Sequence, residues 1–298
     1  ATRTHSTPLR TGGIMRVWRK RAWIALALTG LGCAESGPSD PATTSSTTRQ
    51  YGAPVELGNG QARVYVLRDA KTGNPIEVGV ALSEAALAGL PQAGTHGGSG
   101  VHHDHYNAHI LQMPAKHGTP YQFVELDWNP QGHGGPYVAP HFDFHFYRTS
   151  LAERDAIDPA DPAYGERAAK LPAADELPAG YASSHVLMKL SPAEAAVPKM
   201  GLHWLDLASK ELPPHNQPFT ATFIIGSWDG RVIFDEPMVT RDFIASRRDA
   251  PDAGKSIIPV PASKRYTPAG FYMTGYRVSW EPQAKEYRIA LTGLQARN

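Results

Sequence analysis

The run Pro140-His141-Phe142-Asp143-Phe144-His145-Phe146-Tyr147 constrains the fold of this chain more than any other stretch. Three phenylalanines alternate with three ionisable residues, and a β-strand sends successive side chains to opposite faces. Phe142, Phe144 and Phe146 are therefore expected in a core, with His141, Asp143 and His145 together on the other face. Neighbours on that face stand about 6 to 7 Å apart, because a strand rises roughly 3.3 Å per residue. Imidazole and carboxylate are ordinary ligands for zinc, iron, copper and manganese, and a strand presents them rigidly. His141 and His145 are roughly 13 Å apart at Cα on a regular strand, so one ion takes both only across a bulge or a strong twist. One histidine with Asp143 at the metal, and the other histidine oriented by a carboxylate, suits the spacing better. The alternative is a strand whose polar face is merely solvated.

The N-terminal part reads as an export segment. Met15 precedes a basic stretch, Arg16-Val17-Trp18-Arg19-Lys20-Arg21, which makes residues 1–14 an upstream extension. Ala22 to Leu31 is apolar, too short to span a bilayer and of the right length for the hydrophobic region of a signal peptide. It leads through Gly32 into Cys33, the single cysteine of the chain. Residues 15–32 thus resemble a bacterial lipoprotein signal, with Cys33 the lipidated first residue of the mature protein, although Gly30 and Leu31 exchange the usual leucine and small positions. Cleavage by an ordinary signal peptidase is the alternative. Residues 33–50 are rich in Ser, Thr and Pro and read as a tether, and 51–298 as one domain. Six of the 29 basic residues and none of the 28 acidic ones precede Cys33, so the rest of the chain is acidic, which argues against nucleic acid as a partner. The expected location is the cell envelope, with the membrane reached through the lipid anchor.

The body reads as short strands: Ala53 to Leu57, Gln61 to Arg68, Ile76 to Leu82, Tyr121 to Trp128, His185 to Leu190, Phe271 to Trp280 and Tyr287 to Leu294. Short helices are expected at Glu84 to Leu90, after Ser83 as N-cap, and at Leu151 to Ile157, with Asp158 to Gly180 a surface excursion. Asp229-Gly230 marks a hairpin between Phe219 and Thr240. Pairing outward from that turn sets Ile225 opposite Phe234 and Phe223 opposite Glu236, and puts Glu236 on one face with Phe234 and Val232. A carboxylate among core aromatics costs several kcal/mol unless it is paired, protonated or bound to metal. His203, in Met200-Gly201-Leu202-His203-Trp204, is an inward-pointing polar residue. His133 lies in the tight loop Asn129 to Pro136, which delivers the chain to the central strand. The fold expected is mainly β, a β-sandwich or barrel-like arrangement of antiparallel sheets with a few short helices.

Taken together, PHFDFHFY preceded by DWNPQGH, then MGLHW (200–204), PFTATFIIGSWDG (218–230) and EPM (236–238), resemble an uncharacterised bacterial family of secreted or lipid-anchored proteins, a domain of unknown function. The resemblance runs from about Val55 onward and implies a shared polar site rather than a reaction. Its polar positions here are His133, His141, Asp143, His145, His203 and Glu236. The tract His102 to His109 stands outside it and reads as a solvated surface segment.

A single divalent-metal centre is the expectation, zinc first, with ligands drawn from His141, Asp143, His145, His203 and Glu236 and with His133 supporting them. Four protein ligands favour an envelope protein whose site holds the fold or senses an ion, as a possible homo-oligomer. Three ligands with an open cleft favour a metal-dependent hydrolase or oxygenase. A small-molecule or carbohydrate module using Tyr137, Trp204 and Trp228 is a further alternative. A serine-hydrolase elbow and a phosphate-binding glycine loop are both missing from the sequence.

Overall fold

The computed structural model describes residues 46–92 and 108–298. Cys33, the signal segment and most of the His102 to His109 tract lie outside the described residues. No described helix is long and apolar enough to cross a membrane.

The alternating runs form antiparallel sheets. The first sheet orders β1 (Thr47–Tyr51), β3 (Gly60–Asp69), β4 (Pro75–Ser83), β15 (Glu286–Thr292), β14 (Gly275–Glu281) and β12 (Ile258–Pro259), with β2 (Val55–Leu57) beside β3. The second orders β5 (Ala108–Gln112), β6 (Phe123–Asn129), β7 (His141–Tyr147), β11 (Arg231–Thr240), β10 (Ala221–Trp228), β9 (Leu202–Asp206) and β8 (Tyr181–Ser183). A small pair joins β13 (Gly270–Tyr272) to β16 (Gln295–Arg297). Among the described residues no sheet closes into a barrel. One apolar cluster takes Val64, Val66, Val78, Val80 and Ile289 from the first sheet and Val124, Leu126, Phe142, Phe144, Phe146 and Ile225 from the second. The fold is therefore sandwich-like, and the three phenylalanines of β7 lie in its core, all fully buried.

The opposite face of the second sheet is covered as well. The chain from Thr149 to Gly201 carries α1 (Leu151–Asp155), α2 (Tyr164–Ala169), α3 (Ser184–Met188) and α4 (Pro192–Ala195). Ile157, Tyr164, Ala168, Ala195 and Ala196 from it pack on Phe123, Tyr147, Ile233 and Phe234 of the sheet. At the other end Tyr137 and Phe219 pack on Ile224 and Met238. Between these two apolar patches runs the polar side of β7.

Some local readings differ from the structure. Thr47 to Tyr51, at the end of the stretch read as a tether, forms a strand that pairs with Asp69 to Tyr65 of β3. Ser83 does not cap a helix through its side chain. Its hydroxyl accepts from the Gln61 amide, and a single 3-10 turn, Glu84–Leu87, follows. The expected strand His185 to Leu190 is instead α3, closed by Lys189 in the left-handed region and by a bond from the Leu190 amide to the His185 carbonyl. Its apolar run Val186-Leu187-Met188 has no period of two to hold a strand face, and it lies exposed.

The β10–β11 hairpin forms on Asp229-Gly230 as expected, both residues at positive φ, with Trp228 opposite Arg231. A bulge beside Ser227 then shifts the register, so Gly226 faces Phe234 and Ile224 faces Glu236. Val232 consequently turns into the inter-sheet core, while Ile233 and Phe234 join the outer cluster. Glu236 keeps its place beside Phe234 but not beside Val232.

Candidate metal centre

Three strands place the polar strip. On β6 and β7, Asn129 pairs with His141, Asp127 with Asp143 and Glu125 with His145. On the other side β11 sets Thr240 against His141 and Met238 against Asp143. His203 of β9 faces Gly226 of β10, which in turn faces Phe234 of β11. A Cβ on Gly226 would fall inside the Phe234 ring, so the glycine lets that ring lie over β10. There it meets His145 edge-on, with centroids 4.9 Å apart, and His203 at 5.5 Å.

The expected single centre resolves into two groups of three, each with ligand atoms within 4.8 Å of one another. One is His145, His203 and Glu236. The other is His133, His141 and Asp143. His141 and His145, too far apart to share an ion on a regular strand, fall in different groups. His133 stands beside the ligand atoms themselves rather than behind them. Asp143 and His141 are fully buried, as are His145 and, nearly so, Glu236.

In the first group His145 Nε2 lies 3.6 Å from Glu236 Oε1, and His203 Nε2 lies 4.0 Å from Glu236 Oε2. The other ring nitrogen of His145, Nδ1, is 3.2 Å from Asp127 Oδ2. A carboxylate behind the imidazole fixes ring orientation and raises the basicity of the nitrogen in front. In the second group His141 Nε2 is 3.3 Å from Asp143 Oδ1, and His133 Nε2 is 3.7 Å from Asp143 Oδ2. His141 Nδ1 donates to the Ala139 carbonyl at 2.7 Å, and Asn129 Nδ2 donates to Asp143 Oδ2 at 2.8 Å. The neutral imidazole therefore presents the lone pair of Nε2 to a carboxylate oxygen, and that nitrogen makes no hydrogen bond. Two lone pairs face each other at close range only when a proton or a cation lies between them. Donors bound to a tetrahedral ion at about 2.0–2.1 Å stand roughly 3.3–3.4 Å apart, close to the spacings found here.

The electrostatics have the same character. Burial raises Glu236 to about 8, despite the opposing charge of His145. Burial disfavours charge on His145, but Glu236, Asp127 and Asp143 outweigh it and raise the imidazole to about 10. His203 is pushed down to about 3 by burial and by the neighbouring histidines. Burial opposes ionisation of Asp143, yet His141 and His133 hold its carboxyl well below the ordinary range, and Asp143 in turn raises His141 against the effect of burial. Protons on His141, on His145 and on Glu236 itself thus offset the buried negative charge. A divalent cation supplies the same neutralisation with directed bonds.

Two residues that orient the site escaped the sequence reading, Asp127 and Asn129, as did the carbonyl of Ala139. The signal was present in Val124-Glu125-Leu126-Asp127-Trp128-Asn129, whose polar residues alternate like those of β7 and lie directly across from them. Glu125, on the same side, is neutralised by Arg154 of α1 and so stands apart from the ligand groups. Tyr137, Trp204 and Trp228, considered for a ligand platform, are all buried in packing.

Among known proteins, a family model described as TTHB210-like, hypothetical protein TTHB210, matches residues 71–128. The match supports kinship with an uncharacterised family. It covers β4 to β6, with Glu125 and Asp127, and ends before the PHFDFHFY, MGLHW and EPM motifs. The comparisons with curated proteins and with solved structures gave no match.

Proposed function

We propose that this chain is an exported metal-binding protein that holds a divalent ion, zinc first, among His145, His203 and Glu236. The observation that carries this reading is a buried carboxylate whose two oxygens face the Nε2 atoms of two histidines from different strands at 3.6 and 4.0 Å. A buried ion pair without good hydrogen-bond geometry is a poor way to stabilise a fold, since desolvation costs several kcal/mol per charge. The same groups around an ion turn that cost into binding energy. Mixed imidazole and carboxylate donors suit zinc. Export and anchorage through a lipid on Cys33 are part of the proposal and are supported by the segment from Met15 to Cys33.

A second reading is favoured by the number of donors. Three protein ligands leave a position for water, and a bound ion lowers the pKa of that water enough to make hydroxide near neutral pH. Hydrolysis of model esters and phosphoesters by the zinc-loaded protein, lost in Glu236→Gln, separates this reading from simple binding.

Elemental analysis after dialysis against a weak chelator tests the proposal. The wild-type protein is expected to retain zinc or another single divalent metal, and Glu236→Gln and His203→Ala to lose metal. At a free zinc concentration 100 times Kd, binding at one site stabilises the fold by about 2.7 kcal/mol, read as a rise in Tm that is smaller in Glu236→Gln. A wild-type protein that binds no metal, and whose Tm ignores added zinc, overturns the proposal.

A further inference from the structure

We propose that His133, His141 and Asp143 form a second, separate divalent-cation site, and that it is the faster-exchanging of the two. This rests on reading the covered polar strip as a metal-binding surface. The second group does not share a ligand with the first. Asp143 and His145 are two positions apart on β7, so two ions bound in front of them stand about 6 to 7 Å apart. That is wider than the roughly 3.5–4 Å of a bridged two-metal cluster, and each ion has its own carboxylate.

The second site is built as a ligand set in its own right. His141 is fully buried, its Nδ1 proton is held by the Ala139 carbonyl, and its Nε2 lies 3.3 Å from Asp143 Oδ1. Asn129 fixes one carboxylate oxygen of Asp143. The rings of His133 and His141 meet edge-on with centroids 4.6 Å apart, and Phe219 flanks His141 at 5.4 Å. These contacts orient the donors.

The difference in exchange follows from where the ligands are mounted. His145, His203 and Glu236 come from β7, β9 and β11 of one sheet, with β10 between β9 and β11, and are backed by Phe234. His133 comes from the loop between β6 and β7, which turns through Gly132 and Gly135 at positive φ and carries backbone bonds from the Gly132 amide to the Asn129 carbonyl and from the His133 amide to the Tyr137 carbonyl. Its side chain is 23% exposed, against 12% for His203 and none for His141. A ligand on a loop can leave the ion by local opening, whereas a ligand on a central strand needs the sheet to open.

Titration of the full chain with Zn²⁺ and with Co²⁺, after chelator treatment, tests the assignment. Two equivalents are expected in the wild type and one each in Asp143→Asn and Glu236→Gln. His133→Gln, on the loop, provides a variant that changes no strand residue and is expected to lose the same equivalent as Asp143→Asn. Release to a chromogenic chelator is expected in two phases, and His133→Gln is expected to remove the faster one. One equivalent in the wild type, lost in both Glu236→Gln and His133→Gln, shows a single shared centre and overturns the second site while sparing metal binding. Two equivalents released in one phase, or a His133→Gln variant that keeps both, also overturns it. No bound metal in the wild type overturns both proposals together.

Discussion

At the scale of single residues the site is a set of proton equilibria coupled to folding. Glu236 has a folded-state pKa of about 8 through burial, far above the roughly 4.3 of an unfolded glutamate. A raised pKa stabilises the fold while the group is protonated, and that contribution is lost as pH climbs from about 4.3 toward 8. His145, brought to about 10 by its carboxylate neighbours against the effect of burial, acts in the same direction: its contribution is full below about 6.5 and disappears toward 10. His203, depressed to about 3 by burial, has the opposite sign, but its effect falls below about 6.5, where the unfolded imidazole takes up a proton the folded one refuses. Between pH 6.5 and 8 the first two effects therefore act together. The Tm of chelator-treated protein is expected to fall across that window, and zinc, which replaces the protons, to abolish the fall. Calorimetry at several pH values with and without zinc measures both, and a metal-free Tm that rises from pH 6.5 to 8 contradicts the coupling. The candidate donor residues were legible in the sequence because alternation on β7 and the isolated polar positions His203 and Glu236 stand out against apolar neighbours. Their division into two groups was not, since it depends on which strand lies beside which, and Asp127 and Asn129 acquire their roles only through that pairing.

At the scale of elements the hairpin of β10 and β11 decides where Glu236 and Phe234 point. Its turn is written in Asp229-Gly230, but a turn fixes register only as far as the first irregularity, and the bulge at Ser227 lies close behind it. Gly226 is the residue that makes the irregular stretch useful, since it leaves room for the Phe234 ring between His203 and His145. Gly226→Ala is expected to destabilise the protein by about 1–3 kcal/mol, the usual cost of overpacking a full site, and to weaken zinc binding by displacing that ring. Gly165→Ala is the matched comparison. Gly165 lies in α2 with only the Ala193 side chain near its missing Cβ, at an ordinary 3.7 Å, so alanine is expected to leave stability unchanged or raise it by up to about 1 kcal/mol. Chemical denaturation of both variants checks the contrast, and equal effects would show that the Phe234 ring does not depend on the glycine. The misread α3 has the complementary lesson: three consecutive apolar residues without a period carried no strand signal, and tertiary context left them on a short exposed helix.

At the scale of the whole molecule, every proposed ligand lies between His133 and Glu236, inside the sandwich-like part of the chain, while the proposed anchor is Cys33. The sheet face bearing the proposed ligands is covered by the chain's own excursion from Thr149 to Gly201 and by the loop carrying His133, and all six proposed ligands come from one copy. Anchorage and metal binding are therefore expected to separate cleanly. In a bacterial host, the wild-type chain is expected to take up labelled palmitate and to sediment with membranes. Cys33→Ser is expected to lose the label and the membrane association, while purified variant and wild type bind the same number of zinc equivalents with the same rise in Tm. One acyl group alone gives only marginal membrane binding, so stable sedimentation requires the multiple chains of a lipoprotein-type modification. A wild-type protein that is released unlabelled after processing opposes the anchor and favours ordinary signal-peptidase cleavage, with the metal proposal untouched. A Cys33→Ser protein that loses zinc as well as the membrane contradicts the separation, because it ties the ion to a residue that is none of the proposed ligands.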